Sequence, residues 1–174
     1  MKAGAQRLAA ALGLALLMPD TSPRGAGVAG EADSWDFGVG AGFNLDATQT
    51  LRHPGVFKSL SALAPICAPT RCTWGRKALG GYLGVDESTW AAHDASALMQ
   101  AQATAPYPQS ILIDQGEADK FLADQLLPEA FESACAAVAQ PLKLRRHAGY
   151  DHDYYFVASM LDGHLRHHAR QLSA

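Results

Sequence analysis

Two side chains of this sequence are placed to share a proton. Asp119 follows the apolar run Ile111-Leu112-Ile113 and a break at Gln115-Gly116; His152 follows a second run, Pro141 to Arg146, that closes in Ala148-Gly149-Tyr150-Asp151. A carboxylate can hold an imidazole in one tautomer, and an imidazole so held can take a proton from a hydroxyl nucleophile. An acid followed by a histidine near the C-terminus suits acyl-transfer hydrolysis when a serine precedes both. No serine here stands in a Gly-x-Ser-x-Gly turn, so the attacking group of that pattern is missing. On spacing alone two readings stay open: a relay pair, or a turn-capping acid beside an ordinary loop histidine.

The elements that must position this pair can be read from the hydrophobic pattern. Ile111 to Ile113 predicts a buried strand, Leu126 to Ala139 a helix, Pro141 to Arg146 a second strand, and about Asp153 to Leu172 a last helix with Phe156, Met160 and Leu165 near one face. Asp119 and His152 then lie beyond the carboxyl ends of their strands, where open α/β sheets gather reactive groups. Further upstream, the pattern predicts a helix up to Leu12, a turn at Gly13 and a buried strand from Leu14 to Met18. A charged start before an apolar stretch also fits a secretory leader, although the stretch is too short to span a membrane. Asp20 to Thr50 predicts a long loop ordered by Trp35, Phe37 and Phe43. Val56 to Leu63 predicts a strand, Cys67 to Gly84 a loop, and Asp86 to Gln102 one or two short helices anchored by Trp90 and Leu98.

Composition narrows the function classes. At 174 residues, 48% hydrophobic and 18% charged, the chain suits one α/β domain, residues 1–174, with enough apolar residues for a core. A net charge of −3 without basic clusters gives no footprint for nucleic acid and no polybasic membrane patch. Small-molecule chemistry is the expectation, and assembly into a homodimer is left open. Cys67, Cys72 and Cys135 are too scattered for a disulfide framework, so reduced thiols in a cytoplasmic protein are expected. Cys67 and Cys72 could still form a bridge or a pair of metal ligands, and Cys67 offers a replacement nucleophile. His164, His167 and His168 have a spacing able to hold a metal, but no acid or cysteine joins the pattern, so the expectation is a solvated polar face and no metal.

Taken whole, the sequence resembles the S-formylglutathione hydrolase (esterase D) family of α/β-hydrolases. Carrying the likeness are Lys2 to Arg7, Pro19 to Gly25, Asp33 to Gly38, Gly40 to Phe43, Lys58-Ser59, Ala64 to Cys67, Trp74-Gly75, Tyr82 to Gly84, Ile113 to Gly116, Tyr150 to His152 and Arg166 to Ala169. The resemblance implies a mostly parallel sheet flanked by helices, and it places the family's acid and base on Asp119 and His152. It implies a thioester or ester substrate, with Trp74 and Lys77 lining the substrate pocket, and neither metal nor organic cofactor. A tryptophan wall beside an ammonium would suit a thioester whose peptide portion bears carboxylates. A packed indole and a solvated lysine on a surface helix are the plainer alternative. Asn44 stands where the family usually has tyrosine, and Thr73 where it usually has proline.

Two departures from the family pattern matter more. Family members are longer at the N-terminus, where strands and an oxyanion-hole loop come first. Asp46 to Thr50 also runs directly into Leu51 to Gly55, where the family has a helix, a strand, the Gly-His-Ser-Met-Gly-Gly elbow and most of the next helix. The expectation is therefore a truncated α/β-hydrolase domain with an apparent internal deletion between residues 50 and 51, short of its nucleophile, marginally stable and near-inactive.

Overall fold

The computed structural model describes residues 4–16 and 49–173. In chain order they form α1 (Ala5–Ala11), α2 (Gln49–Arg52), β1 (Ser61–Leu63), α3 (Thr73–Leu83), a 3-10 segment (Glu87–His93), α4 (Ala95–Gln100), β2 (Ile111–Gly116), a π-helical turn (Leu122–Leu126), α5 (Pro128–Ala137), β3 (Leu142–His147) and α6 (Tyr154–Leu172). The strands make one parallel sheet in the order β1-β2-β3. All six residues of β2 are buried, as a central parallel strand requires.

Register decides what each face of the sheet carries. Ser61 pairs with Leu112, Leu63 with Asp114, and Asp114 in turn with Arg145. Because side chains alternate along a strand, Ile111, Ile113, Leu142 and Leu144 point one way, while Ser61, Asp114, Arg145 and His147 point the other. The first face packs against Leu51, Cys67, Met99, Phe131, Ala134 and Cys135, which form the apolar core beneath α4 and α5. The second face is polar, and α6 meets it with His164 and His167, both buried beside Phe156 and Leu165.

Local chemistry sets the ends of the helices. Gly13 has φ +68°, Leu14 donates its amide to the Ala9 carbonyl at 2.9 Å and Gly13 donates to Ala10 at 3.2 Å, a Schellman closure of α1. Buried Asp94 caps α4 through the Ala97 amide at 2.9 Å and also receives the Thr70 amide and hydroxyl at 3.0 and 2.6 Å. Asp153 caps α6 through the Phe156 amide at 2.8 Å.

Several boundaries differ from the sequence expectation. Leu14 to Leu16 leave α1 without joining a sheet, the Leu14 amide being spent on the Ala9 carbonyl; Leu17, Met18 and nearly all of the Asp20 to Thr50 stretch, Trp35, Phe37, Phe43 and Asn44 included, lie outside the described residues. The expected strand Val56 to Leu63 shrinks to Ser61–Leu63, since the turn at Pro54-Gly55 leaves Val56 bonded to His53 and 76% exposed. Cys67 to Gly84 is only in part a loop, because Thr73–Leu83 forms a full helix. The helix expected from Leu126 begins at Pro128, after Leu127 turns left-handed at φ 50°.

Candidate active site

At the carboxyl end of β2 the chain turns at once, and Asp119 comes to lie 5% exposed beneath the loop that follows β3. Two backbone bonds hold these loops together: Glu117 donates to His147 at 3.0 Å and Ala118 donates to Tyr150 at 3.0 Å. The loops approach so closely that a Cβ on Gly116 would stand 2.3 Å from the Tyr150 carbonyl oxygen, and only glycine fits. This contact fixes the distance between the strand ends and so the meeting of acid and histidine.

His152 Nδ1 lies 2.8 Å from Asp119 Oδ2. The same oxygen accepts the Gln115 amide at 3.2 Å, and Oδ1 accepts the Phe121 backbone amide at 2.9 Å. A carboxylate only accepts, so Nδ1 carries the proton and the lone pair of a neutral His152 is at Nε2. The imidazole is 39% exposed against 1% for the Asp119 side chain, and it lines a cavity of about 340 Å³ with Leu63, Ala64, Tyr154, Phe156 and Val157. Chemically, the arrangement is a buried acid orienting a solvent-facing proton acceptor.

Trp74 and Lys77 sit one turn apart on α3 rather than on a loop. Gln125 of the π-helical turn accepts the Trp74 amide at 3.0 Å and bonds the Thr73 hydroxyl, so the segment after Asp119 also anchors the start of α3. Cys72 caps the same end, its sulfur accepting the Gly75 amide at 3.3 Å. The Trp74 ring lies 4.5 Å from that of Phe121, and Phe121 meets His152 edge-on at 5.6 Å. Trp74 is thus linked to His152 through Phe121, which carried no signal in the sequence although it stands two positions after Asp119. The Lys120 ammonium lies 5.0 Å over the Phe121 ring, while Lys77 is an exposed lysine on α3.

Cys67 is 2% exposed, and burial with nearby carboxylates pushes its thiol well above the ordinary range, so it is not a thiolate nucleophile. All three cysteines are free and buried, with no bridge between Cys67 and Cys72. The histidines of α6 correct the expectation of a solvated face. His164 donates through Nε2 to Asp114 at 2.9 Å, and His168 lies between Ser59 and Ser61 at 2.7 and 2.8 Å. Among the described residues no group of three or more His, Cys, Asp or Glu side chains could hold a metal.

The Esterase family model matches residues 48–167. S-formylglutathione hydrolase of Bos taurus is 41% identical, over 99% of this chain and 78% of its own length; that of Arabidopsis thaliana is 42% identical, over 99% and 76%. The chain belongs to the S-formylglutathione hydrolase family. The solved S-formylglutathione hydrolase from Agrobacterium tumefaciens superposes with a TM-score of 0.89 at 36% identity, covering 98% of this chain and 78% of that one. The three-stranded parallel sheet and its helices are therefore the family's α/β fold, in a chain shorter than these relatives. The family model's span begins just before α2 and ends within α6, enclosing both Asp119 and His152. No described helix is long and apolar enough to cross a membrane.

Proposed function

We propose that this chain carries the acid and the base of an S-formylglutathione thioesterase without the serine they would serve. Asp119 holds the imidazole in the Nδ1–H tautomer, and His152 Nε2 is the proton acceptor. In the complete reaction a serine hydroxyl would attack the formyl carbon, His152 would take its proton and return it to the departing glutathione thiolate, and water would then release formate. Trp74 and Phe121 form an aromatic wall beside the base, and Lys77 and Lys120 supply cations for the carboxylates of a glutathione-like group. Free, buried cysteines accord with a cytoplasmic setting.

The single observation that carries this reading is the 2.8 Å bond from His152 Nδ1 to a buried carboxylate, in a half-exposed ring that lines an open cavity. The reading of an internal deletion between residues 50 and 51 is supported by the Bos taurus match, which runs over 222 positions where this chain has 174 residues. No serine in a glycine-flanked turn is available to His152, and the residual catalysis of triad-deleted hydrolases depends on an oxyanion hole that would be lost with that segment. Purified chain mixed with S-formylglutathione is expected to release formate at the buffer rate. Turnover at about 1 s⁻¹ or faster, the ordinary enzymatic range, would refute the absence of a nucleophile beside His152.

A further inference from the structure

The polar face beneath α6 contains a hydrogen-bonded series whose direction is set at one end. Asp114 is wholly buried and accepts both Arg145 nitrogens, Nε and a terminal one, along with His147 Nε2 at 2.9 Å and His164 Nε2 at 2.9 Å. A neutral His164 then has its lone pair at Nδ1, so Ser61 donates its hydroxyl there, at 2.8 Å. With its proton committed, Ser61 Oγ accepts from His168 Nε2 at 2.8 Å, and Ser59 donates to His168 Nδ1 at 2.7 Å. Every bond points from Ser59 toward Asp114.

This series has a second state with no bond lost. A proton entering at His168 Nδ1 moves the Nε2 proton to Ser61, and the Ser61 proton to His164 Nδ1. The positive charge comes to rest on His164 against the Asp114 carboxylate. Burial and the neighbouring imidazoles disfavour a charge on His168, pressing its pKa down to about 4, while at His164 the charge faces a carboxylate oxygen 2.9 Å from Nε2. Ser59, Ser61 and His168 line a cavity of about 660 Å³ whose other walls include Val56, Phe57, Lys58 and Leu172. It lies at the opening end of β1, away from the Asp119 end of the sheet.

We propose that Ser59 is a nucleophile toward small activated acyl esters, with His168, Ser61, His164 and Asp114 as its proton-accepting series. Ser59 Oγ forms a bond to the acyl carbon while its proton enters at His168 Nδ1 and the charge passes to His164. The ester carbon–oxygen bond then breaks, and the departing alkoxide takes its proton back from His168 Nδ1. An acyl-Ser59 and an alcohol result, and the series returns to its first state.

The test is incubation of the full chain with p-nitrophenyl acetate, following p-nitrophenolate release and locating the acetyl group by peptide mass spectrometry. One equivalent of p-nitrophenolate and an acetyl on Ser59 are expected, both lost in Ser59→Ala. Ser61→Ala interrupts the series and slows acetylation at least about tenfold, within the range of general-base effects, while Ser61→Thr keeps the hydroxyl and restores most of the rate. Circular dichroism confirms that each variant is folded. Acetyl groups only on lysines or other residues, no adduct at all, or equal rates in the parent chain and Ser61→Ala would each overturn the proposal.

Discussion

Asp119–His152 and Asp114–His164 are two acid–histidine pairs in one small sheet, with similar bond lengths of 2.8 and 2.9 Å. Their surroundings separate them. Asp119 keeps an imidazole that is 39% exposed, whereas Asp114 is wholly buried, bears two imidazoles and an arginine, and meets a His164 only 6% exposed. The Asp119 pair leaves one ring nitrogen of a half-exposed histidine without a protein bond among the described residues, whereas both nitrogens of His164 are bonded, Nε2 to Asp114 and Nδ1 to Ser61, so any exchange with a substrate must pass through other side chains. Bond length alone does not separate the two pairs; the partner of the second ring nitrogen does.

The contrast breaks hardest at Asp114. Asp114→Ala leaves the Arg145 guanidinium and two imidazoles over an empty carboxylate site, and the unfolding free energy in urea is expected to fall by about 3 kcal/mol. Asp119→Ala, which strands no full charge, is expected to cost about 1 kcal/mol. Gly116→Ala falls between these two: it forces the Tyr150 carbonyl away from the strand end, at about 2 kcal/mol by the usual scale of overpacking. It should also abolish the hydrogen-bonded His152 Nδ1 proton in the NMR spectrum while sparing the His164 Nε2 proton bonded to Asp114.

Acid sharpens the comparison with a smaller effect. His168 is held below its ordinary 6.5, at about 4, by burial first and then by His167 and His164. Its folded-state pKa is depressed, so the unfolded chain binds more protons between those values and stability falls as pH drops from about 6.5 toward about 4. Burial also presses His167 down, which acts in the same direction over this range; burial of Asp114 opposes ionisation but its bonds from His164, Arg145 and His147 hold it low, so its contribution is lost only below its ordinary 3.8. Thermal melts across this range should show the loss, and His168→Gln should flatten it. The smallest change is His152→Ala, about 0.5 kcal/mol in the same urea measurement, because the ring is half-exposed and Asp119 keeps its bonds from Gln115 and Phe121.

How much of this was legible in the sequence follows the same division. Ile111 to Ile113 announced a buried strand, and the turns after β2 and β3 placed Asp119 and His152 at one edge, because those signals are local. Trp90 and Leu98 were also correctly marked as anchors, the first buried and the second packed against the core. The polar network was not legible. Its members Ser59, Ser61, Asp114, Arg145, His147, His164 and His168 are distributed across three strands, the segment that enters β1 and a helix, and only the register of the sheet brings them together. A run of histidines on an amphipathic helix reads as solvated when the face it will meet is unknown. Glycines at 80, 81 and 84 disguised α3 as a loop, although Cys72 and Gln125 supply the caps that start it.

The bond from Ala118 to Tyr150 and the bare Cα of Gly116 also impose an order of events in biosynthesis. The carboxylate is translated more than thirty residues ahead of its imidazole, with α5 and β3 between them. Until His152 has emerged from the ribosome and its loop has docked, Asp119 has no histidine to hold, so a nascent chain arrested before Tyr150 carries the buried carboxylate without its partner.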